Sequence, residues 1–345
     1  MNFEMKTRDP FFDIAKLLVI FMVVFRHTMF ASETLLFPTW VANATVGMNM
    51  PFFFILSGWF AWPTIEACDW SKLGRHLKSY MWPTITTIVL FASILPFIDG
   101  TAWRVDEVLV RSVKTWLFGP WFIWVLCECY LIVFLAHGRG RSFGKTMGIV
   151  LVVFLFLMLL PDCRGIVFKT FLRDMLPYFV IGTVFRYFRF RPWERNGMGA
   201  FALVTFVLIV IFEGDARQIG MSFYHTDSSW RAFMDIRGAL TLFARPAMGI
   251  LGSIGFMWVV HKCVGLLMES SRKVLCVLAR GGGLTLSIYL LHQWILSRIV
   301  VAWPNIVSTR SDVVMLSVVL FIGVWGISEI TVNQIPGVRK WFWGR

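Results

Sequence analysis

Charge is what this chain has least of. Only 15% of its 345 residues are Asp, Glu, Lys or Arg, and 57% are hydrophobic. A water-soluble enzyme carries about 25% charged residues, so a soluble enzyme is excluded, and a mean hydropathy of +0.70 places the chain in a membrane. Tyrosine is scarce, six residues beside seventeen Trp and thirty-four Phe. That aromatic excess excludes intrinsic disorder, which needs few aromatics and low hydrophobicity, and fits lipid-facing and interfacial surface. Cysteine is sparse and poorly placed for chemistry. Cys68, Cys127, Cys129, Cys163, Cys263 and Cys276 show no metal-type spacing, and the close pair Cys127 and Cys129 lies in an apolar run, as buried thiols do. No metal site and no disulfide framework are expected.

What is present is a series of long apolar runs. Crossing about 30 Å of hydrocarbon at about 1.5 Å per residue takes about 20 residues. Ten runs approach that length, at 12–30, 46–62, 81–98, 116–135, 146–161, 171–188, 198–212, 238–261, 284–302 and 313–328. The first carries Asp13, Lys16, Arg26 and His27 and lacks a small-residue cleavage site, so it reads as a retained helix and not as a signal peptide. The expected fold is an all-α, polytopic membrane bundle of about ten transmembrane helices. It forms a single membrane-embedded domain over 1–345, with no additional soluble domain.

The formal charge of +13 raises nucleic-acid binding, but the distribution of charge argues against it. With the N-terminus inside, most loop Lys and Arg fall on the cytoplasmic side, from Lys6 and Arg8 through the loop Arg139, Arg141 and Lys145 to Arg339, Lys340 and Arg345. Basic loops stay inside, so both termini are expected to be cytoplasmic. Insertion topology and anionic headgroups account for most of this surface. The group Lys72, Arg75, His76 and Lys78, just before Trp82-Pro83, is the best candidate for holding an anionic donor, because phosphates need several convergent cations.

Ionisable side chains inside a span cost about 3 kcal/mol or more unless they face a partner or water. In the first run, Lys16 and His27 are eleven positions apart, which at 100° per residue puts them within about 20° of one stripe and about 16 Å apart along the axis. Asp13, three positions before Lys16, shares the stripe and is placed to pair with the ammonium. Arg26 points about 100° away from His27. Other spans carry Glu128, Arg245, Ser287, Tyr289, His292 and Gln293 at comparable depth. Each alone reads equally well as a helix-to-helix hydrogen bond, and Glu128 with Arg245 as a packing pair; together they point to a shared polar cavity.

A neutral imidazole takes a proton from a hydroxyl near physiological pH, which suits His27 to the part of general base. Lys16, near the cytoplasmic end, is better suited to hold an anion or a polarised carbonyl. The face then describes a passage with a cation at its inner mouth and a base more than halfway across. An acyl-coenzyme A entering from inside has the shape to use it, with the acceptor hydroxyl arriving from the other side.

These residues resemble a known family, the membrane acyltransferase 3 group of bacterial O-acyltransferases. Its first-helix pattern of a basic residue, ten residues and a histidine is matched by Lys16, Leu17 through Arg26, and His27, with Asp13 three positions before the base. The second run reads Pro51-Phe-Phe-Phe-Ile-Leu-Ser-Gly58, the fourth opens Gly119-Pro-Trp-Phe-Ile-Trp124 and reaches Tyr130, and the ninth contains Ser287-Ile-Tyr-Leu-Leu-His292, each similar to a segment of that family. The resemblance implies an O-acetyltransferase of the bacterial inner membrane. It would move an acetyl or other small acyl group from cytoplasmic acetyl-CoA or another acyl-CoA to a hydroxyl of a cell-envelope glycan or lipid-linked sugar. His27 would be the catalytic base, Lys16 and Asp13 its motif partners, Glu128, Tyr289, His292 and Arg245 supporting residues, and Lys72, Arg75 and Lys78 donor-binding. Fucose O-acetylase-like and common-antigen acetylase-like proteins are similar single-domain members.

Lysine stands where the family commonly has arginine, which keeps the charge and loses the bidentate fork. Phe52, Phe53 and Phe54 read as packing or lipid contact, Ser57-Gly58 as a close helix approach, and Gly281-Gly-Gly283 as a hinge, since a phosphate loop needs a flanking strand and Lys. The rival from another class is a transporter or flippase of an envelope glycan or its lipid carrier, because intramembrane His, Glu and Arg also mark transport paths. Against it stands the lack of a convincing internal repeat.

Overall fold

The computed structural model describes residues 9–32, 36–101, 103–159, 167–212 and 236–342, and among them every regular element is helical. They form α1 (Pro10–Phe30), α2 (Thr39–Glu66), α3 (Trp70–Ile98), α4 (Val105–Phe118), α5 (Trp121–His137), α6 (Phe143–Leu159), α7 (Val167–Tyr187), α8 (Asn196–Phe212), α9 (Ile236–Ser270), α10 (Arg272–Gly282), α11 (Thr285–Ala302), α12 (Arg310–Glu329) and α13 (Pro336–Phe342).

Each apolar run lies mainly on helix where it is described, and among the described residues five helical stretches are long and apolar enough to cross a membrane: Trp40–Glu66, Trp70–Ile98, Pro246–Ser270, Thr285–Ala302 and Arg310–Gln334. The remaining runs differ for identifiable reasons. α1 carries Asp13, Lys16 and Arg26, and α7 carries Lys169, Arg173, Asp174 and Arg186. α6 and α8 are 17 residues each. The run expected over 116–135 is not one helix. The chain breaks between Val105–Trp116 and Trp121–His137 with a 55° bend, and the pair makes a sixth span if counted together. Pro120 has no N–H to continue the ladder of α4 and takes the N-cap position of α5.

Local chemistry sets the helix ends. Pro10 opens α1 and the Asp9 carboxylate accepts from the Phe11 N–H at 3.1 Å. Asp69 caps α3, where the Lys72 backbone N–H, followed by its ammonium, holds the Asp69 carboxyl below the usual carboxylate range. Thr309 and Asp312 cap α12 reciprocally.

Contacts cluster into two compact units, each drawn from separated stretches of chain. One contains α1, most of α8, the latter part of α9, and α10 to α12. Within it α1 packs against α10, α11 and α12, Phe11 meets Trp193 and His261 at ring separations of 6.2 and 5.6 Å, and Phe21 meets Phe321 at 5.2 Å. A Cβ on Gly255 of α9 would stand 2.7 Å from the Leu203 Cα of α8, so only glycine admits that approach.

The other unit contains α2 to α7, the start of α9, and α13. Its centre is the crossing of α2 and α7, where the small residues are reciprocal. A Cβ on Gly58 would run into the Phe179 carbonyl, and one on Gly182 into the Ile55 carbonyl. Ser57-Gly58 is thus a close helix approach, as read from the sequence. Phe52 and Phe54 are fully buried and Phe53 nearly so, which makes them packing residues. At the end of α2, Trp62 meets the rings of His137, Phe143 and Tyr187.

Candidate active site

Asp13 and Lys16 occupy the first turns of α1, where the i,i+3 spacing lets one reach the other, and the carboxylate lies 2.5 Å from the ammonium. The Asp13 side chain is 12% exposed and that of Lys16 25%, so each charge is largely withdrawn from solvent and compensated by the other. The glycine triplet explains how this level of the unit is built. α10 runs through Gly282, and both Gly281 and Gly282 are buried. A Cβ on Gly282 would run into the Asp13 carbonyl, and one on Gly281 would stand 2.6 Å from the Trp325 ring and 2.9 Å from Leu17 Cδ1. The expected hinge is instead a seat, in which missing side chains let the end of α10 rest on the main chain of α1. Thr285 donates its hydroxyl to the Gly282 carbonyl at 2.6 Å as α11 begins.

From that seat α1 and α11 run side by side in one direction, since the two helices meet again further along. His27, near the end of α1, and His292, midway along α11, have ring centroids 5.1 Å apart at an interplanar angle of 51°. His292 is fully buried and His27 partly exposed. The His292 Nδ1 lies 3.0 Å from the Ile288 carbonyl, which only accepts, so Nδ1 is the protonated nitrogen. The Tyr289 ring is 6.1 Å from that of His292. Arg26 faces away and places its guanidinium over the Phe30 ring, 5.6 Å from the centroid.

The structure therefore brings together two pairs of expected site residues, Asp13 with Lys16 and His27 with His292, and sets Tyr289 beside the second. Glu128 belongs to the other compact unit. It lies on α5 between the buried Cys127 and Cys129, and its Oε2 is withdrawn from solvent with no hydrogen-bond partner among the described residues. Lys72, Arg75 and Lys78 are exposed on α3. Lys72 pairs with Asp69 at 3.4 Å and Arg75 donates to the Ser71 hydroxyl at 2.9 Å, so two of these three cations have local partners. The Arg245 side chain lies outside the described residues, as do Lys6, Arg8, Cys163 and Arg345.

The structure adds residues not singled out in the sequence. Arg173 and Asp174 on α7 are an adjacent pair at 3.4 Å with side chains 8% and 4% exposed. The signal was available, since two opposite charges interrupt an apolar run. Asn49 on α2 is fully buried, with neither amide atom hydrogen-bonded among the described residues. Among the described residues no group of three or more His, Cys, Asp or Glu is placed to hold a metal.

What the arrangement offers chemically is a cation at one end of a helix and an imidazole pair toward the other. In comparison with known families, a family model described as an acyltransferase domain, of the acyltransferase 3 group, matches residues 9–329. No curated protein and no solved structure matches the chain. With the match running from the cap of α1 to the last residue of α12, the chain belongs to the acyltransferase 3 family.

Proposed function

We propose that the protein is a membrane O-acyltransferase of the bacterial inner membrane. It takes an acetyl or similar small acyl group from a cytoplasmic acyl-CoA and delivers it to a hydroxyl of an envelope glycan or lipid-linked sugar. The observation that carries this reading is the placement of His27 and Lys16 on one helix of a chain in an acyltransferase family, the first against His292 and the second against Asp13.

In the reaction the acceptor oxygen attacks the thioester carbonyl while its proton passes to a bare nitrogen of His27. The new C–O bond forms, the C–S bond breaks, and the leaving CoA thiolate takes the proton from the imidazolium, so histidine ends as it began. Lys16 holds the donor end. Its ammonium has three donors, of which Asp13 occupies one and fixes the direction of the rest. Lys72, Arg75 and Lys78 add a basic surface for the CoA phosphates. Glu128, Tyr289 and Arg245 are assigned supporting parts.

The test is transfer by the purified full chain in detergent with acetyl-CoA and candidate glycans, read as free CoA and as a mass gain on the glycan. Neither product from any acyl-CoA refutes the reading. Both termini are placed in the cytoplasm, and reporter fusions that put the loop from His137 to Lys145 outside refute that orientation.

A further inference from the structure

His292 leaves a buried polar atom unaccounted for. Its Nδ1 carries the proton donated to Ile288, so in the neutral ring Nε2 is a bare lone pair. That atom is withdrawn from solvent and has no hydrogen-bond partner among the described residues, at a residue that is 0% exposed. Buried acceptors are rarely left this way, and those that are call for a functional explanation.

The ring beside it belongs to His27, 5.1 Å away between centroids. Two imidazoles sharing one N–H···N bond have centroids about 5 Å apart, from about 1.1 Å within each ring and about 2.9 Å between the nitrogens. The separation is one that such a bond can span, and the bond is not made in this structure. Bonds between catalytic groups are often misaligned before substrate is bound and tighten afterwards. Exposure decides the order of the pair: His27 is partly accessible and His292 is sealed, so an incoming hydroxyl meets His27 first.

We infer that His292 is the positioning residue of the base: its Nε2 accepts the N–H of His27 and so determines which His27 nitrogen is left bare to take the hydroxyl proton. The inference rests on the acyl-transfer reading above. The proton that moves goes from the acceptor hydroxyl to His27 and from His27 to the CoA thiolate. The Nδ1 proton of His292 stays on Nδ1, donated to the Ile288 carbonyl, and Nε2 accepts from the second His27 N–H throughout.

The experiment uses the full chain in detergent, labelled with ¹⁵N at histidine. Imidazole nitrogen resonances are recorded with acetyl-CoA and a non-transferable acceptor analogue, for the wild type, His292→Leu and His292→Gln, with His27→Ala assigning the His27 signals. His27 is expected in a single tautomer in the wild type, in a mixture in His292→Leu, and again in one tautomer in His292→Gln, whose side-chain carbonyl reaches about where Nε2 sits. In transfer assays His292→Leu loses roughly hundredfold in kcat with KM for acetyl-CoA unchanged, and His292→Gln recovers about tenfold of it. A mixed His27 tautomer in the wild type, or an unchanged single tautomer in His292→Leu, overturns the inference. So does a rise in acceptor KM at constant kcat, which makes His292 a substrate contact. If His292→Leu does not fold, the wild-type spectrum and the glutamine variant still decide. A wild type that shows the expected tautomer and transfers no acyl group refutes the acyl-transfer reading and leaves the histidine pair standing.

Discussion

The crossing of α2 on α7 and the meeting of α1 with α11 are built from opposite materials. At the first, Gly58 and Gly182 remove every atom beyond Cα, so main chain lies on main chain. Even Thr183, fully buried beside Gly182, returns its hydroxyl to the Val180 carbonyl at 2.6 Å. At the second, two imidazole rings meet and one nitrogen is left without a partner. A sealed crossing contributes rigidity, because packed interiors resist deformation. An open one gives up some stability to keep a reactive group available, the pattern expected where sequence rules are broken at functional sites.

The sharpest way to break this contrast is His27→Ala. Transfer is expected to fall by about 10²–10⁴-fold, while thermal unfolding in detergent and binding of acetyl-CoA stay near wild type; loss of donor binding instead would make His27 a substrate-holding residue. The converse is expected of Gly58→Leu, which forces a side chain into the Phe179 carbonyl and should cost about 3 kcal/mol of stability, seen as a lower Tm and reduced folded yield. A Tm equal to wild type would show that the crossing is not as tight as its geometry. Lys16→Gln keeps most of the length and removes the charge; KM for acetyl-CoA should rise about tenfold, about 1.4 kcal/mol, with kcat little changed. An unaltered KM would remove Lys16 from donor binding. The smallest effect is expected from Thr309→Ala at the α12 cap, about 1 kcal/mol in stability and none in transfer.

The residues themselves explain what was visible in the sequence and what was not. Length and apolarity mark where helices lie because they are local properties, and the Asp13–Lys16 pair was legible because one helix fixes its geometry. The break at Gly119-Pro120 was hidden inside a continuous apolar run, since hydropathy is blind to direction and only the missing proline N–H reports the bend. The contact of His27 with His292 depends on α10 sitting on α1, a long-range fact with no local signature. The same seat turned the expected glycine hinge into a packing surface. Clustering in sequence also did not report that Lys72 and Arg75 have local partners in the neighbouring Asp69 and Ser71.

The Gly282 seat has a consequence for how the protein can change. Its contact with Asp13 is made by the Asp13 backbone, and the carboxylate takes no part. The identity of residue 13 is thus separable from the joint it sits in: substitutions at Asp13 and Lys16 change the charge of that end, and with it donor binding, without adding an atom to the joint, whereas any side chain at Gly282 runs into the Asp13 main chain. Selection, in nature or in the laboratory, has a dial on one helix and a fixed bolt on the helix seated against it.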